Sequence, residues 1–332
     1  MEIRKIKKEE LHLLQNFLDT KWKKNHSLVK SKELLDFQHL HNNYYNYYAC
    51  IDDDTIWAIL GFIPTTLYDE SIINNDCWGA IWKNSEDCPY EGIGIELMET
   101  LLANEGKDSF GAIGISTIAK KIYKLFGMKI SYLSHYYIAN NSISSFNVGQ
   151  NLIIENTLQF INEDCEIKRI VDLSFVDDTL VSYYPIKSIK YLINRYQNHP
   201  IYKYLFYGIY QYGILRSIFV IRRITVENTS ILRIVDIYGV LDGLPKLYNH
   251  FQALLKDENC EYIDCLNFGI EESVFLELGF TIHDNSSNKI IIPNYFEPFE
   301  KKNITIEIAY FAKDRKYVAF KGDSDQDRPN VL

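Results

Sequence analysis

The chain has 332 residues, 47% of them hydrophobic, and its 35 basic against 44 acidic side chains give a net charge of −9. This length suffices for two domains of ordinary size, and the hydrophobic content excludes a mostly disordered chain. The acidic balance argues against non-specific binding to nucleic acid or to an anionic membrane. The first residues lack an apolar signal-peptide core, and no apolar run approaches the ~18 residues of a membrane span. We therefore expect a cytoplasmic protein.

The cysteines and histidines give no sign of a metal centre. The six cysteines include no Cys-x-x-Cys pair, and the histidines do not cluster at zinc-ligand spacing. In a cytosolic chain such cysteines are expected to be buried, reduced thiols. The acidic run at residues 323–327 is followed by Arg328, where a calcium loop requires glycine. We expect no bound metal.

The predicted elements of the first 140 residues alternate between strands and helices. Apolar residues at helical spacing indicate the first helix, and Ser31 is a suitable cap for the second. The aspartates at 52–54 suit a hairpin turn between two strands. In chain order we predict a strand at 1–6, helices at 11–22 and 31–40, strands at 44–51, 55–63 and 77–83, a helix from 93, a strand at 110–115, a helix at 118–126 and a strand at 129–138.

Two short segments carry the chemical signal of this half. Residues 90–95 read Tyr-Glu-Gly-Ile-Gly-Ile, and they follow a predicted strand and open a helix. Glycines at that position let the backbone approach an anion, which the free N–H groups and the positive end of the helix can hold. In the second segment, Ser116, Ala119, Tyr123 and Gly127 are spaced along the next predicted helix.

Together these segments resemble the acyl-CoA binding core of the GNAT acetyltransferase superfamily. That family's pyrophosphate loop reads Gln/Arg-x-x-Gly-x-Gly/Ala, and its next helix often reads Asn-x-x-Ala-x-x-x-Tyr-x-x-x-Gly-Phe. Here Pro89 replaces the Gln or Arg, Ser116 the Asn and Met128 the Phe. The predicted element order is the one that this fold requires. The resemblance implies that acetyl-CoA or another acyl-CoA is bound by Ile81, Trp82, Lys83, Gly92, Ile93, Gly94, Ile95, Ser116, Ala119 and Tyr123.

The second half repeats the order of the first. We predict a helix at 185–196, strands at 204–210, 215–224 and 230–238, a helix at 245–255, a strand at 262–266 and a helix at 272–278. Gly239 and Gly243 lack the Gly-x-Gly spacing, so this copy has lost the cofactor loop. We therefore predict an α/β fold of two tandem GNAT-like modules, each a mixed, largely antiparallel twisted sheet flanked by helices. Residues 1–145 would bind acyl-CoA, and residues 146–332 would bind the acceptor or serve a structural role.

The resemblance implies that Tyr123 is the general acid that protonates the departing thiolate. A phenol suits this role because it is neutral at pH 7 and its pKa lies close to that of a thiol. In this family the region around His26 borders the acceptor site, and an imidazole has a pKa suited to a base. Asp236 and Asp264 end apolar strand segments, where a carboxylate can contact the acceptor or cap the next helix. The predicted acceptor contacts are Trp22, Asn25, His26, Asp236, Asp264 and Asn267.

These features predict an N-acyltransferase, in the first place an N-acetyltransferase, that acts on a small amine by direct attack on a CoA thioester. The acceptor that we favour is an amino sugar or sugar nucleotide of bacterial surface glycan biosynthesis. One alternative is a peptidoglycan-type aminoacyltransferase that uses aminoacyl-tRNA, which the acidic charge and the glycine loop disfavour. The other is a non-catalytic binding protein. We expect no nucleic-acid or membrane partner, and a homodimer is compatible with the sequence. The segment at 321–330 is equally consistent with a disordered tail and with docking against the acceptor pocket.

Overall fold

The computed structural model describes residues 1–154, 164–178, 180, 182–313 and 315–330. The strands are β1 Glu2–Lys7, β2 Leu40–His41, β3 Tyr44–Asp52, β4 Thr55–Pro64, β5 Asp76–Asn84, β6 Ser109–Ile113, β7 Lys129–Tyr132, β8 Ser134–Ala139, β9 Cys165–Ile170, β10 Tyr204–Gln211, β11 Ile214–Val226, β12 Thr229–Gly239, β13 Cys260–Phe268, β14 Thr281–His283, β15 Tyr295–Phe296, β16 Phe299–Glu300, β17 Glu307–Ala312 and β18 Ala319–Phe320. The helices are α1 Leu11–Phe17, α2 Ser27–Lys30, α3 Lys32–His39, α4 Ile93–Asn104, α5 Thr117–Leu125, α6 Ile189–Leu192, α7 Tyr248–Asp257 and α8 Glu272–Leu278.

The strands form two large sheets of similar design. The first has the order β1-β3-β4-β5-β6-β17-β7, with β2 beside β3. The second has the order β14-β8-β13-β12-β11-β10-β9, with β18 beside β13. Each is antiparallel except for one parallel pair, β5 with β6 in the first sheet and β12 with β13 in the second. Two mixed, largely antiparallel sheets flanked by helices confirm the predicted fold class.

In both sheets the parallel pair separates part-way along its length. Strands β5 and β6 are paired only from Asp76 to Trp78, although β5 continues to Asn84. A side chain at Gly79 would meet the ring of Phe110, its Cβ lying 2.8 Å from Cζ. In the second sheet β12 and β13 pair only as far as Ile234, although β12 continues to Gly239.

The two sheets exchange strands across residues 145 and 146, where we predicted the boundary between modules. Strand β8 lies before this boundary but pairs with β13 and β14 of the second sheet. Strand β17 lies near the other end of the chain and is inserted between β6 and β7 of the first sheet. The division into modules stays a prediction, and the hydrogen-bonded sheets cross it in both directions.

The predicted strand at 129–138 is two strands in different sheets. They separate at Leu133, which is fully buried in the core between the sheets, together with Trp78 and Tyr317. The Leu133 amide donates to the carbonyl of Ile306 at 2.9 Å, outside both ladders. The alternating pattern correctly predicts extended chain, but it does not reveal that β7 and β8 join different sheets.

Candidate active site

The separation of β5 and β6 opens a cleft of about 210 Å³. One wall is formed by residues 79–82 of β5 and the other by residues 112–116 at the end of β6. Helix α5 contributes Ala119 and Tyr123, and Trp22, whose side chain is 43% exposed, lies at the rim. The far side is closed by Asp325, Gln326 and Arg328, which belong to residues 321–330, called the C-terminal segment below.

The glycine turn lies directly behind one wall of this cleft. Gly92 adopts φ +76° at the N-terminus of α4 and supplies no side-chain cap, and no side chain in the described part of the chain accepts a hydrogen bond from the first N–H groups of the helix. A Cβ at Gly94 would lie 3.3 Å from Asn84 Nδ2 and 3.6 Å from Cζ2 of Trp82. Trp82 also lines the cleft, so its side chain lies next to both the cleft and the N-terminus of α4.

Tyr123 is buried at the same wall. Its side chain is 2% exposed, and its ring packs against Trp82 and Phe110, with centroids 5.4 Å and 5.9 Å away. Within the described residues its hydroxyl makes no hydrogen bond, and the residue lines the cleft. Burial, together with the charge of Asp325, raises the pKa of Tyr123, so the phenol keeps its proton at neutral pH.

The other residues of the implied acyl-CoA site divide into two groups. Ile81, Trp82, Ser116 and Ala119 line the cleft, and Ser116 caps α5 by accepting a hydrogen bond from the Ala119 amide at 3.2 Å. The second group lies around or behind the cleft. Lys83 continues β5 opposite Ile59, Ile93 is buried in the core under α4, and Ile95 is partly exposed.

His26 lies against the C-terminal segment rather than among the described residues that line the cleft. It is 1% exposed, its Nδ1 accepts a hydrogen bond from the Leu28 amide at 3.3 Å, and its Nε2 lies 3.4 Å from Arg328. Burial, with smaller effects from Arg328 and Lys23, lowers the pKa of His26 to about 3. The pKa of His26 is therefore not the ordinary imidazole value that we expected, and its role as a base stays a prediction. The neighbouring Asn25 has φ +58° and donates its amide proton to Asp19.

The predicted acceptor contacts of the second half are buried in the second sheet, where they bond to their own chain. Asp236 accepts hydrogen bonds from Lys187 at 2.6 Å and from Tyr196 at 2.7 Å. Asp264 pairs with Arg233, whose Nε lies 2.9 Å from Oδ1, and with His135 at 2.9 Å. Asn267 bonds to the backbone of Ala319 and Ile270. Among described residues, the structure does not bring these three side chains to the cleft, and their role in acceptor binding stays a prediction.

The C-terminal segment is docked, and the sequence reading left this open. Ser324 donates a hydrogen bond to the carbonyl of Gly79 on the β5 wall. Gln326 covers Gly114, where a Cβ would lie 2.8 Å from its Oε1. These contacts join residues more than 200 positions apart, so no local pattern could reveal that this segment completes the cleft.

Residues 319–322, where β18 leads into the C-terminal segment, fill the gap between the separated strands of the second sheet. Phe320 and Ala319 of β18 pair with Asn267 and Phe268 of β13. Immediately afterwards, the amide of Gly322 donates to the carbonyl of Val235 on β12 at 2.7 Å. The chain itself therefore occupies in the second sheet the gap that is open in the first.

Comparison with solved structures gives the same architecture. A GCN5-related N-acetyltransferase from Anabaena variabilis superposes with a TM-score of 0.56 and 12% identity, over 93% of this chain and 72% of that one. The chain has this acetyltransferase fold. An Enterococcus faecalis V583 protein described as "Probable N-Acyltransferase" superposes with a TM-score of 0.54 and 13% identity, over 94% and 72% of the two chains. No protein-family profile and no curated protein matches the sequence.

Two further findings concern the described ranges alone. No helix there is both long and apolar enough to cross a membrane. Nor do the same residues contain three or more His, Cys, Asp or Glu side chains grouped so that they could hold a metal ion.

Proposed function

We propose that the chain is an acyl-CoA-dependent N-acyltransferase, in the first place an N-acetyltransferase. One observation carries the proposal. A cleft between two separating parallel strands contains the hydroxyl-bearing side chain of Tyr123 and adjoins the uncapped N-terminus of α4 through Trp82. Such a helix end binds phosphate groups through its free N–H groups and its dipole. Phosphate and thioester of one acyl-CoA would thus lie at the two ends of the site.

In this proposal Tyr123 acts as the general acid. The acceptor nitrogen attacks the thioester carbonyl, the carbon–nitrogen bond forms, and the carbon–sulfur bond breaks. The departing thiolate takes the phenolic proton, and the phenolate regains a proton from the new amide nitrogen. Burial raises the pKa of Tyr123, so the phenol is protonated when the thiolate develops, although it is a weaker acid than a free phenol.

The favoured acceptor is the amine of an amino sugar or sugar nucleotide used in bacterial surface glycans. Trp22 supports this choice because its partly exposed indole at the rim offers an apolar face for a sugar ring. Asp325 and Arg328 supply polar partners for the acceptor on the opposite side. The glycan role itself comes from the family resemblance stated above.

Calorimetric titration with a non-hydrolysable acetyl-CoA analogue tests the donor site. We expect one site per chain, because residues 319–322 fill the second sheet's gap. Gly94→Val forces two methyl groups towards Asn84 and Trp82 at the helix end where the phosphate groups would bind, so it should lower the affinity for the analogue by about tenfold or more.

Two variants serve as controls. Gly94→Ala adds only a Cβ that small shifts accommodate, so it should retain most of the affinity. Gly213→Ala changes the hairpin turn between β10 and β11, and it should bind like the parent chain. Circular dichroism checks that every variant is folded. Two sites per chain, or full affinity in Gly94→Val, would refute the assignment, and no binding at all would favour a non-catalytic protein.

A further inference from the structure

The proposed reaction has an acid but still lacks a proton acceptor. Amines are protonated at neutral pH, and an ammonium group cannot attack a carbonyl. The candidate from the sequence, His26, is buried against Arg328 and is not among the described residues that line the cleft. A base must lie within hydrogen-bond reach of the substrate nitrogen, directly or through one water, so the candidates are the side chains that line the cleft.

Among the described residues that line the cleft, Asp325 is the only carboxylate. It is 9% exposed and lines the cleft together with Tyr123, whose pKa its charge helps to raise, although burial has the larger effect. A carboxylate and a phenol thus border one small space. One can accept a proton from the incoming nucleophile while the other donates a proton to the leaving group.

The contacts of Asp325 leave one of its oxygens able to accept a proton. Oδ2 lies 3.1 Å from Nη2 of Arg328, and this pair orients the carboxylate. Oδ1 has only long contacts, 3.3 Å from Gln326 Nε2 and 3.4 Å from Ser324 Oγ. The Ser324 hydroxyl already donates to the carbonyl of Gly79. Oδ1 therefore keeps acceptor capacity towards a ligand.

We propose that Asp325 is the catalytic base that deprotonates the ammonium group of the acceptor, and that it thereby adapts the cleft to charged primary amines. This inference rests on the proposed acyltransferase function. One ammonium proton passes to Oδ1, the freed lone pair attacks the thioester carbon, and Tyr123 exchanges its proton as described above. The protonated carboxyl group then releases its proton to solvent. The products of the overall reaction are the amide, the free thiol of CoA and one proton.

The test compares two nucleophiles in acetyl transfer from acetyl-CoA. Glucosamine is charged at neutral pH and needs a base, whereas hydroxylamine is uncharged there and does not. Asp325→Asn keeps the size of the side chain and an oxygen for Arg328, but it removes the base. We expect it to lower kcat/KM for glucosamine at pH 7 by about fivefold, because about a fifth of such an amine is already neutral there, with little change for hydroxylamine. Raising the pH should reduce the defect, because solvent then deprotonates the amine.

Asp327→Asn makes the same chemical change two residues further along the segment. Asp327 bonds to Arg222 and Tyr204 rather than lining the cleft, so its replacement should leave the ratio of the two activities unchanged. Equal activity of Asp325→Asn and the parent chain on glucosamine would overturn the inference. Equal losses on both nucleophiles would also overturn it, because they would indicate a structural role. A parent chain that binds no acetyl-CoA would instead refute the proposed function and this inference with it.

Discussion

Lys321 gives the sharpest test of how the C-terminal segment is packed. Its side chain is 2% exposed, and its Nζ has no hydrogen-bond partner within the described residues, only the ring of Tyr295 at 4.6 Å from the centroid. Burial, together with the charges of Arg233 and Arg222, lowers the pKa of Lys321 from 10.5 to about 7. The folded protein therefore disfavours the ammonium form, which the unfolded chain retains.

The size of this penalty follows from the pKa difference. One pKa unit corresponds to about 1.4 kcal/mol, so holding Lys321 in the fold costs about 4 kcal/mol at pH 7 and about 1 kcal/mol at pH 9.5. The unfolded chain binds more protons between pH 7 and 10.5, so the free energy of unfolding rises with pH in that window. Lys321→Met keeps the length of the stem and loses the charge, at a packing cost of less than about 1.5 kcal/mol.

Urea unfolding of the parent chain and of Lys321→Met at pH 7 and pH 9.5 measures the effect. We expect the variant to be more stable by about 2–4 kcal/mol at pH 7, and this gain to shrink by about 3 kcal/mol at pH 9.5. Other titrating groups are common to both proteins and cancel in the difference. A variant that is less stable at pH 7, or a gain that is the same at both pH values, would show that Lys321 is not a buried, unpaired amine.

Three further predictions address the site and its supports. Tyr123→Phe should lower kcat by about 10²-fold without changing the affinity for acetyl-CoA. A variant with full kcat, measured where the chemical step limits turnover, would show that Tyr123 only packs against its neighbours. Gly111→Ala should lower the melting temperature, because the added Cβ would lie 2.0 Å from the hydroxyl of buried Tyr317. Such overpacking lowers the free energy of unfolding by about 1–3 kcal/mol, and an unchanged melting curve would contradict this contact. Burial raises the pKa of Asp323 to about 6, despite its contact with Lys187, so the folded protein disfavours the charged carboxylate. The parent chain should therefore lose about 2 kcal/mol of stability relative to Asp323→Asn as the pH rises from about 4 to about 6, and parallel pH curves would contradict this.

The parts of the site that the sequence revealed are those set by neighbours in the chain. Gly92 ends a turn and opens α4, and Ser116 caps α5 three residues before the amide that it accepts from. Such contacts recur at fixed spacing, so a motif records them. The two segments come together at Trp82 because both follow strands that lie side by side in the sheet.

The parts that the sequence concealed depend on contacts between distant residues. The low pKa of His26 results from burial beneath Arg328, which is 302 positions away. Asp236 and Asp264 lie inside β12 and β13 rather than at the strand ends that we predicted, and Lys187 and Arg233 bond to them within the second sheet. A carboxylate in an apolar strand has the same local sequence pattern whether it faces a ligand or a buried cation, and only the tertiary structure separates the two cases.

The arrangement of the two sheets is the reason why we expect one donor site per chain. For a donor to enter the gap of the second sheet, residues 319–322 would have to leave β12 and β13. That would also separate Asp323 from Lys187, and breaking a buried ion pair costs about 3–5 kcal/mol. The same displacement would pull Asp325 away from the cleft of the first sheet, because only one residue separates it from Asp323. The same stretch of chain therefore fills the gap in the second sheet and supplies Asp325 to the cleft of the first. A second donor site could form only if that stretch moved, which would also disrupt the proposed first site.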